Sequence, residues 1–162
     1  MIHLIIGATG AGKTTFAKRL AAERNAIMFV SDDWLNRLFI PDLPPHDAWA
    51  WALVRVERCE EQIWKLVQQL LNRGIEVVLD INMMNRAVRA RQQAFAKSSG
   101  FPFQIYFLDV DRETRWKRVS KRNEEKGETY SFQVSKTFFD FVESVLEPPS
   151  EDELKDAIVV RD

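Results

Sequence analysis

A chain of 162 residues, 46% hydrophobic and 29% charged, is long enough to bury one real core and has the composition of an ordinary globular domain. Its formal net charge of −1 excludes a global field that would draw it onto nucleic acid or an anionic membrane. The single cysteine, Cys59, excludes an internal disulfide and reads as a small core residue in a reducing compartment. The start MIHLIIGATG lacks the basic region and the apolar length of a signal peptide, and no later run is long enough to span a bilayer. The expectation is a cytoplasmic protein with no membrane partner, folded as a single domain over residues 1–162.

The first predicted element is a strand, IHLII (2–6), and it runs into Gly7-Ala8-Thr9-Gly10-Ala11-Gly12-Lys13-Thr14 and a helix over 13–24. AIMFV (26–30) is a second strand, ending in SDDW, which brings Asp32 and Asp33 to its edge. PDLPPHD (41–47) reads as a loop, and 47–72 as a long helix with Trp49, Leu53, Val56, Ile63, Val67 and Leu70 on one stripe. Gly74 stands where a helix-ending glycine belongs, and Gly100 does the same after a helix over 84–98. Between them IEVVL (75–79) is a strand that ends at Asp80. FQIYFL (103–108) leads to Asp109 and a basic helix over 111–125, then to a polar loop, EEKGETY (124–130). A helix over 132–146 and a last strand, AIVV (157–160), complete the chain. Apolar strands without alternation, separated by helices, predict a three-layer α/β domain around a parallel sheet.

The glycine-rich turn matches G-x-x-x-x-G-K-[ST] with a strand before it and a helix after it. Glycines let successive backbone N–H groups close around an anion, and the following helix adds its positive end. Gly7 to Thr15 are therefore candidate nucleotide-binding positions. Lys13 supplies charge for the β- and γ-phosphates, and the Thr14 hydroxyl suits Mg²⁺. Ligands in such sheets bind beyond the carboxyl ends of the strands, which makes Asp32 and Asp80 functional candidates. Asp80 reads as a Walker-B-type acid near the metal. Asp33 and Asp109 read as helix caps. Arg115, Arg118 and Arg122 are spaced to share one helical face, where guanidinium groups can close over a triphosphate. His3 and His46 have no metal-ligand partner at usable spacing.

The order GATGAGKTT, SDDW, VVLDINMMNR, FLDVDRETRWKRVSKRN resembles the P-loop small-kinase group of ATP-binding kinases, whose relatives include polynucleotide 5′-hydroxyl kinases, zeta toxins and chloramphenicol phosphotransferase. The resemblance runs up to the EPPSEDEL tail. It implies a P-loop nucleoside-triphosphate-hydrolase-like fold, with a five-stranded parallel sheet in the order 2-3-1-4-5 and a helical lid over about 111–130. By position it implies ATP and Mg²⁺ as cofactors, Lys13 and Thr14 on phosphate and metal, Asp32 as the acid that takes the acceptor hydroxyl's proton, and Asp80 as its partner at the metal. Arg122 would be the lid arginine on the phosphates, with Arg118 near the adenine. The sequence departs from the polynucleotide kinases at Leu35, where that family has an arginine for substrate phosphate. The expected activity is transfer of the γ-phosphoryl group to a hydroxyl of a small molecule, with Lys13, Asp32 and Arg122 catalytic. The alternatives are polynucleotide 5′-hydroxyl phosphorylation and a nucleotide-binding switch that transfers nothing.

Overall fold

The computed structural model describes residues 1–126 and 133–161, so residues 127–130 of the expected lid loop and residue 132 of the last long helix lie outside the described residues. Five strands form one parallel sheet: β1 (Ile2–Gly7), β2 (Ile27–Val30), β3 (Val77–Asp80), β4 (Phe103–Asp109) and β5 (Ala157–Arg161), in the order β2-β3-β1-β4-β5. The expected strand order is the one found. Among the described residues seven α-helices accompany them: α1 (Lys13–Arg24), α2 (Ser31–Leu38), α3 (Ala48–Leu71), α4 (Arg86–Ser98), α5 (Arg112–Glu125), α6 (Lys136–Val145) and α7 (Glu151–Leu154).

Alternate residues of β1 serve opposite faces, which is why the strand is apolar throughout. Ile2, Leu4 and Ile6 pack with Ile63, Trp64, Val67 and Leu71 of α3 and Ala96 of α4. Ile5 faces the other way, with Val78, Tyr106 and Leu108, onto Ala17 and Leu20 of α1. Each such fully buried aliphatic side chain contributes roughly 1.5–3 kcal/mol. His3, wholly buried in β1, is satisfied by the Tyr106 hydroxyl (3.2 Å) and the Glu76 carboxylate (2.9 Å).

Several local readings shift. The SDDW segment opens α2, whose N-cap is Val30, so neither Asp32 nor Asp33 caps it. The α5 cap is Asp111, which accepts from the Thr114 N–H at 2.9 Å, and Asp109 instead pairs with Arg161 at 3.1 Å. On α3 the buried stripe runs through Val56, Cys59, Glu60, Ile63, Trp64, Val67 and Leu71, whereas Leu53 is exposed. Trp49 packs edge-on against Phe138 and Phe141 of α6. β5 is an edge strand with exposed Ile158 and Val159, unlike the doubly buried strands at the centre.

The segment after α6 is fastened chiefly by a buried cation. Arg89 of α4 is 1% exposed. Its guanidinium donates to the Met83 carbonyl (3.1 Å), the Glu147 carbonyl (2.7 Å) and both Glu153 carboxylate oxygens (2.7 and 3.2 Å). Glu153 also accepts from the Ser150 N–H in a reciprocal cap of α7. The hydrogen bond from Arg89, followed by those from Ser150 and the Arg89 charge, holds the Glu153 carboxyl down to about 2 against the opposing effect of burial. A depressed carboxylate stabilises the fold above its unfolded value and loses that contribution as the pH falls toward the folded value. Wild type should therefore exceed Glu153→Gln by about 3 kcal/mol near pH 7. Urea unfolding should show that gap narrowing as the pH is lowered from about 4.5 to about 2.

Candidate active site

Gly10 and Gly12 hold φ values of 81° and 90°, conformations that strain residues with side chains. They turn the chain back between β1 and α1, so that Lys13 and Thr14 occupy the first turn of α1. The Lys13 ammonium lies 3.4 Å from the Ala8 carbonyl across the loop. A Cβ on Gly10 would stand 2.6 Å from the Arg115 carbonyl oxygen and 2.9 Å from Val119. The glycine is what lets α5 rest directly on the loop.

Register brings the acids to the same place. Val30 of β2 lies opposite Asp80 of β3, and β3 neighbours β1, the strand that feeds the loop. Asp80 is 6% exposed, and one of its oxygens accepts from the Thr14 hydroxyl at 2.7 Å. A hydroxyl and a carboxylate side by side are hard oxygen donors of the kind Mg²⁺ takes together with phosphate oxygens. The inward-turned loop before them suits the phosphates themselves. The residues present fit both groups.

Asp32, two residues past Val30, sits in the first turn of α2. Its carboxyl is raised above the ordinary carboxylate range, first by the protein crowded around it, then by Asp80 and Asp33, with Lys13 and Arg122 pulling it back. Asp32 nonetheless keeps exposed surface. It is hemmed in without being sealed, and the water that reaches it moderates the rise. Four charged groups from three other parts of the chain and its own neighbour thus act on one acid that remains open to solvent.

The basic face of α5 divides in two. Arg115 is buried, pairs with both oxygens of Glu143 at 2.7 Å, and donates to the Thr9 (3.2 Å) and Val110 (3.0 Å) carbonyls. It braces the loop from behind. Arg118 reaches the Ala11 carbonyl at 3.3 Å, and Arg122 is the arginine whose charge Asp32 feels. Thr15 is exposed.

Two residues escape motif reasoning. Asn36, one turn beyond Asp32 on α2, has its side-chain nitrogen buried without a hydrogen-bond partner among the described residues. Glu60, on α3, is 2% exposed and accepts from the Asn82 N–H at 2.8 Å, two residues past Asp80. Helical spacing from Asp32 could have flagged Asn36; nothing local flags Glu60. A cavity of about 330 Å³ opens between α3 and α4, and one of about 170 Å³ touches Gly7 and Ala8 on the side of Arg89 and Arg115. The larger one does not reach the loop, so its size does not make it the site.

Comparison with known proteins bears on the fold. No curated protein matches the chain. Among solved structures, a candidate kinase of Chloroflexus aurantiacus shares 14% identity at a TM-score of 0.73, covering 99% of this chain and 86% of its own. Kti12 of Chaetomium thermophilum, solved with ADP-AlF3, shares 15% at a TM-score of 0.69, covering 100% and 88%. A sugar kinase of Janibacter sp. HTCC2649 shares 17% at 0.66, covering 99% and 84%. At these identities the likeness is one of fold. The AAA domain family (AAA_33) matches residues 2–149, from the strand before the phosphate loop to the tail that Arg89 fastens, and the chain belongs to that family.

Proposed function

We propose that this protein is an ATP- and Mg²⁺-dependent phosphotransferase that moves the γ-phosphoryl group to a hydroxyl of a small molecule. The observation that carries the reading is Asp32, an open carboxylate under the influence of Lys13, Asp80 and Arg122 together. A switch needs the lysine and the loop but has no use for an acid poised beside them.

In this reading Lys13 and the loop amides hold the phosphates, and Arg118 and Arg122 neutralise charge from the α5 side. Thr14 and Asp80 hold the metal. When bound, ATP with its metal supplies the phosphoryl group and the ADP leaving group. Asp32 orients the acceptor hydroxyl and takes its proton as the new O–P bond forms and the bond to the leaving group breaks. Positioning and electrostatics do most of the work in such chemistry. Lys13→Ala should abolish the thermal stabilisation that ATP with Mg²⁺ gives the protein while leaving the unliganded Tm within a few degrees, since the lysine faces the ligand. An undiminished shift in that variant would remove the phosphate assignment.

Asp32→Asn separates a transferase from a switch. It deletes a base and leaves the phosphate ligands in place, so the Kd for ATP should stay within about threefold while transfer falls by about a hundredfold or more. Retention of full transfer would move the base to Asp33 or Asp80.

For the acceptor, the three arginines of α4 that could track a polynucleotide are each paired within the fold. Arg86 bonds Ser150 and lies by Glu153, Arg89 is buried on Glu153, and Arg91 pairs with Glu57. The α2–α3 side carries Asp32, Asp33 and the unpartnered Asn36 nitrogen, a donor suited to a neutral oxygen. The sugar kinase that shares the fold also favours a small hydroxyl compound. Labelled ATP offered with a panel of small hydroxyl compounds and a 5′-hydroxyl oligonucleotide should label the former. Their KM should vary with salt by less than the roughly one log unit per log of salt that each phosphate contact adds. Efficient, salt-sensitive labelling of the oligonucleotide would reverse the acceptor assignment.

A further inference from the structure

Glu60 has no place in the phosphate loop, the lid helix or the acids at the strand ends, yet it is a carboxylate buried in the middle of α3. A charge withdrawn from water is costly unless it is fully hydrogen-bonded. Here the bonds lead in two directions. Oε1 accepts from the backbone N–H of Asn82 at 2.8 Å. Oε2 accepts from the Gln92 side-chain amide of α4 at 2.9 Å, and the Gln92 carbonyl oxygen in turn accepts from the Trp64 indole N–H. The Arg91 guanidinium lies 3.7 Å from Oε2. Asn82 continues the relay, since its side-chain oxygen accepts from the Met84 N–H at 3.1 Å.

The strand that carries Asp80 therefore leaves the sheet into a loop held at its second residue by a carboxylate from another helix. Asp80 is fixed on one side by its ladder to β2 and β1. Further along, the loop 81–85 is held by Arg89, which donates to the Met83 carbonyl at 3.1 Å, and by the buried Ile81 and Met83 side chains, so its anchor nearest Asp80 is the one on the Asn82 N–H. Glu60 supplies that anchor while touching neither the phosphate loop nor the Thr14–Asp80 pair.

We propose that Glu60 is a positioning residue for phosphoryl transfer, holding the Asp80–Asn85 loop through the Asn82 N–H so that Asp80 keeps its place between Thr14 and Asp32. The assignment rests on the kinase reading above. A core carboxylate kept for packing alone would be better replaced by an apolar residue, because burial pushes Glu60 up to about 7 even with Asn82, Arg91 and Gln92 drawing it down and Asp32 adding to the rise. Glu57 and Glu61 on α3 and Arg91 on α4 also line the groove beside it.

The test compares Glu60→Gln, which keeps an acceptor for Asn82, with Glu60→Met and Glu60→Ala, which remove it at large and small side-chain volume. Whichever of the latter two folds serves. Three quantities are measured below the Tm of every variant: amide exchange at Asn82 in the nucleotide-free protein, the Kd for ATP without Mg²⁺, and the kcat for release or transfer of the γ-phosphoryl group. Removing the acceptor should speed Asn82 exchange and lower kcat, each by about tenfold or more, with the Kd within about threefold. Glu60→Gln should restore both to within about threefold of wild type. An unchanged kcat in a folded variant lacking the acceptor, or a kcat that falls equally in Glu60→Gln, overturns the positioning role and leaves the kinase reading intact. A wild type that binds ATP but never turns over its γ-phosphoryl group overturns the kinase reading and this assignment with it.

Discussion

The contact between Gly10 and the backbone of α5 is the constraint around which the site is arranged. With a Cβ 2.6 Å from the Arg115 carbonyl, any other residue would push helix and loop apart. Because they touch, Arg115 can stretch from its own helix to the Thr9 carbonyl and to Glu143 of α6 at the same time. Loop, α5 and α6 become one packed unit, with Val119, Val134 and Phe139 as its small separate core. Two turns of one helix then supply a brace at Arg115, a contact on the loop at Arg118 and a charge facing the acids at Arg122. Backbone proximity, decided by the absence of one methyl group, sets where these guanidinium groups sit.

Cations elsewhere in the chain are spent on architecture. Arg89 and Arg115 are both buried, each facing a carboxylate with two oxygens engaged and backbone carbonyls besides. Arginine suits this duty because its planar fork can satisfy several acceptors in fixed directions. The acids show the complementary division. Asp80 and Glu60 are enclosed and held by hydrogen bonds, while Asp32 is crowded yet open to water. The acid proposed to meet a partner from outside is the one that is not closed in.

Much of this was legible in the chain. The five strands, the loop and its flanks followed from apolar runs and glycine spacing, and the 2-3-1-4-5 order followed from resemblance. Reading failed where a local rule had two outcomes. Asp33 looked like a helix cap, but α2 begins at Ser31 with Val30, the last residue of β2 and one with no capping side chain, at the cap position, because the helix starts directly from the strand. Asp109 looked like a cap as well, and α5 is instead capped two residues later by Asp111. The arginines of α5 share a face by spacing, and spacing cannot say that the first of them meets Glu143, 28 residues away. Glu60 was invisible for the same reason. Glutamate in a helix ordinarily faces water, and its partners Asn82 and Gln92 lie 22 and 32 residues further on. Pairings across such distances are decided by packing, not by pattern.

The Arg89 staple bears on how the chain reaches its native state. The cation is seated by groups that stand 58 to 64 residues beyond it, and β5, which follows them, pairs in parallel with β4. A half-folded chain holding β1 to β4 would leave a guanidinium in an apolar setting with its partners still unplaced, and one side of β4 unpaired. Closing contacts of such long separation is slow compared with forming helices. Until the 147–161 segment docks, that side of β4 is an exposed sheet edge that can recruit a second chain.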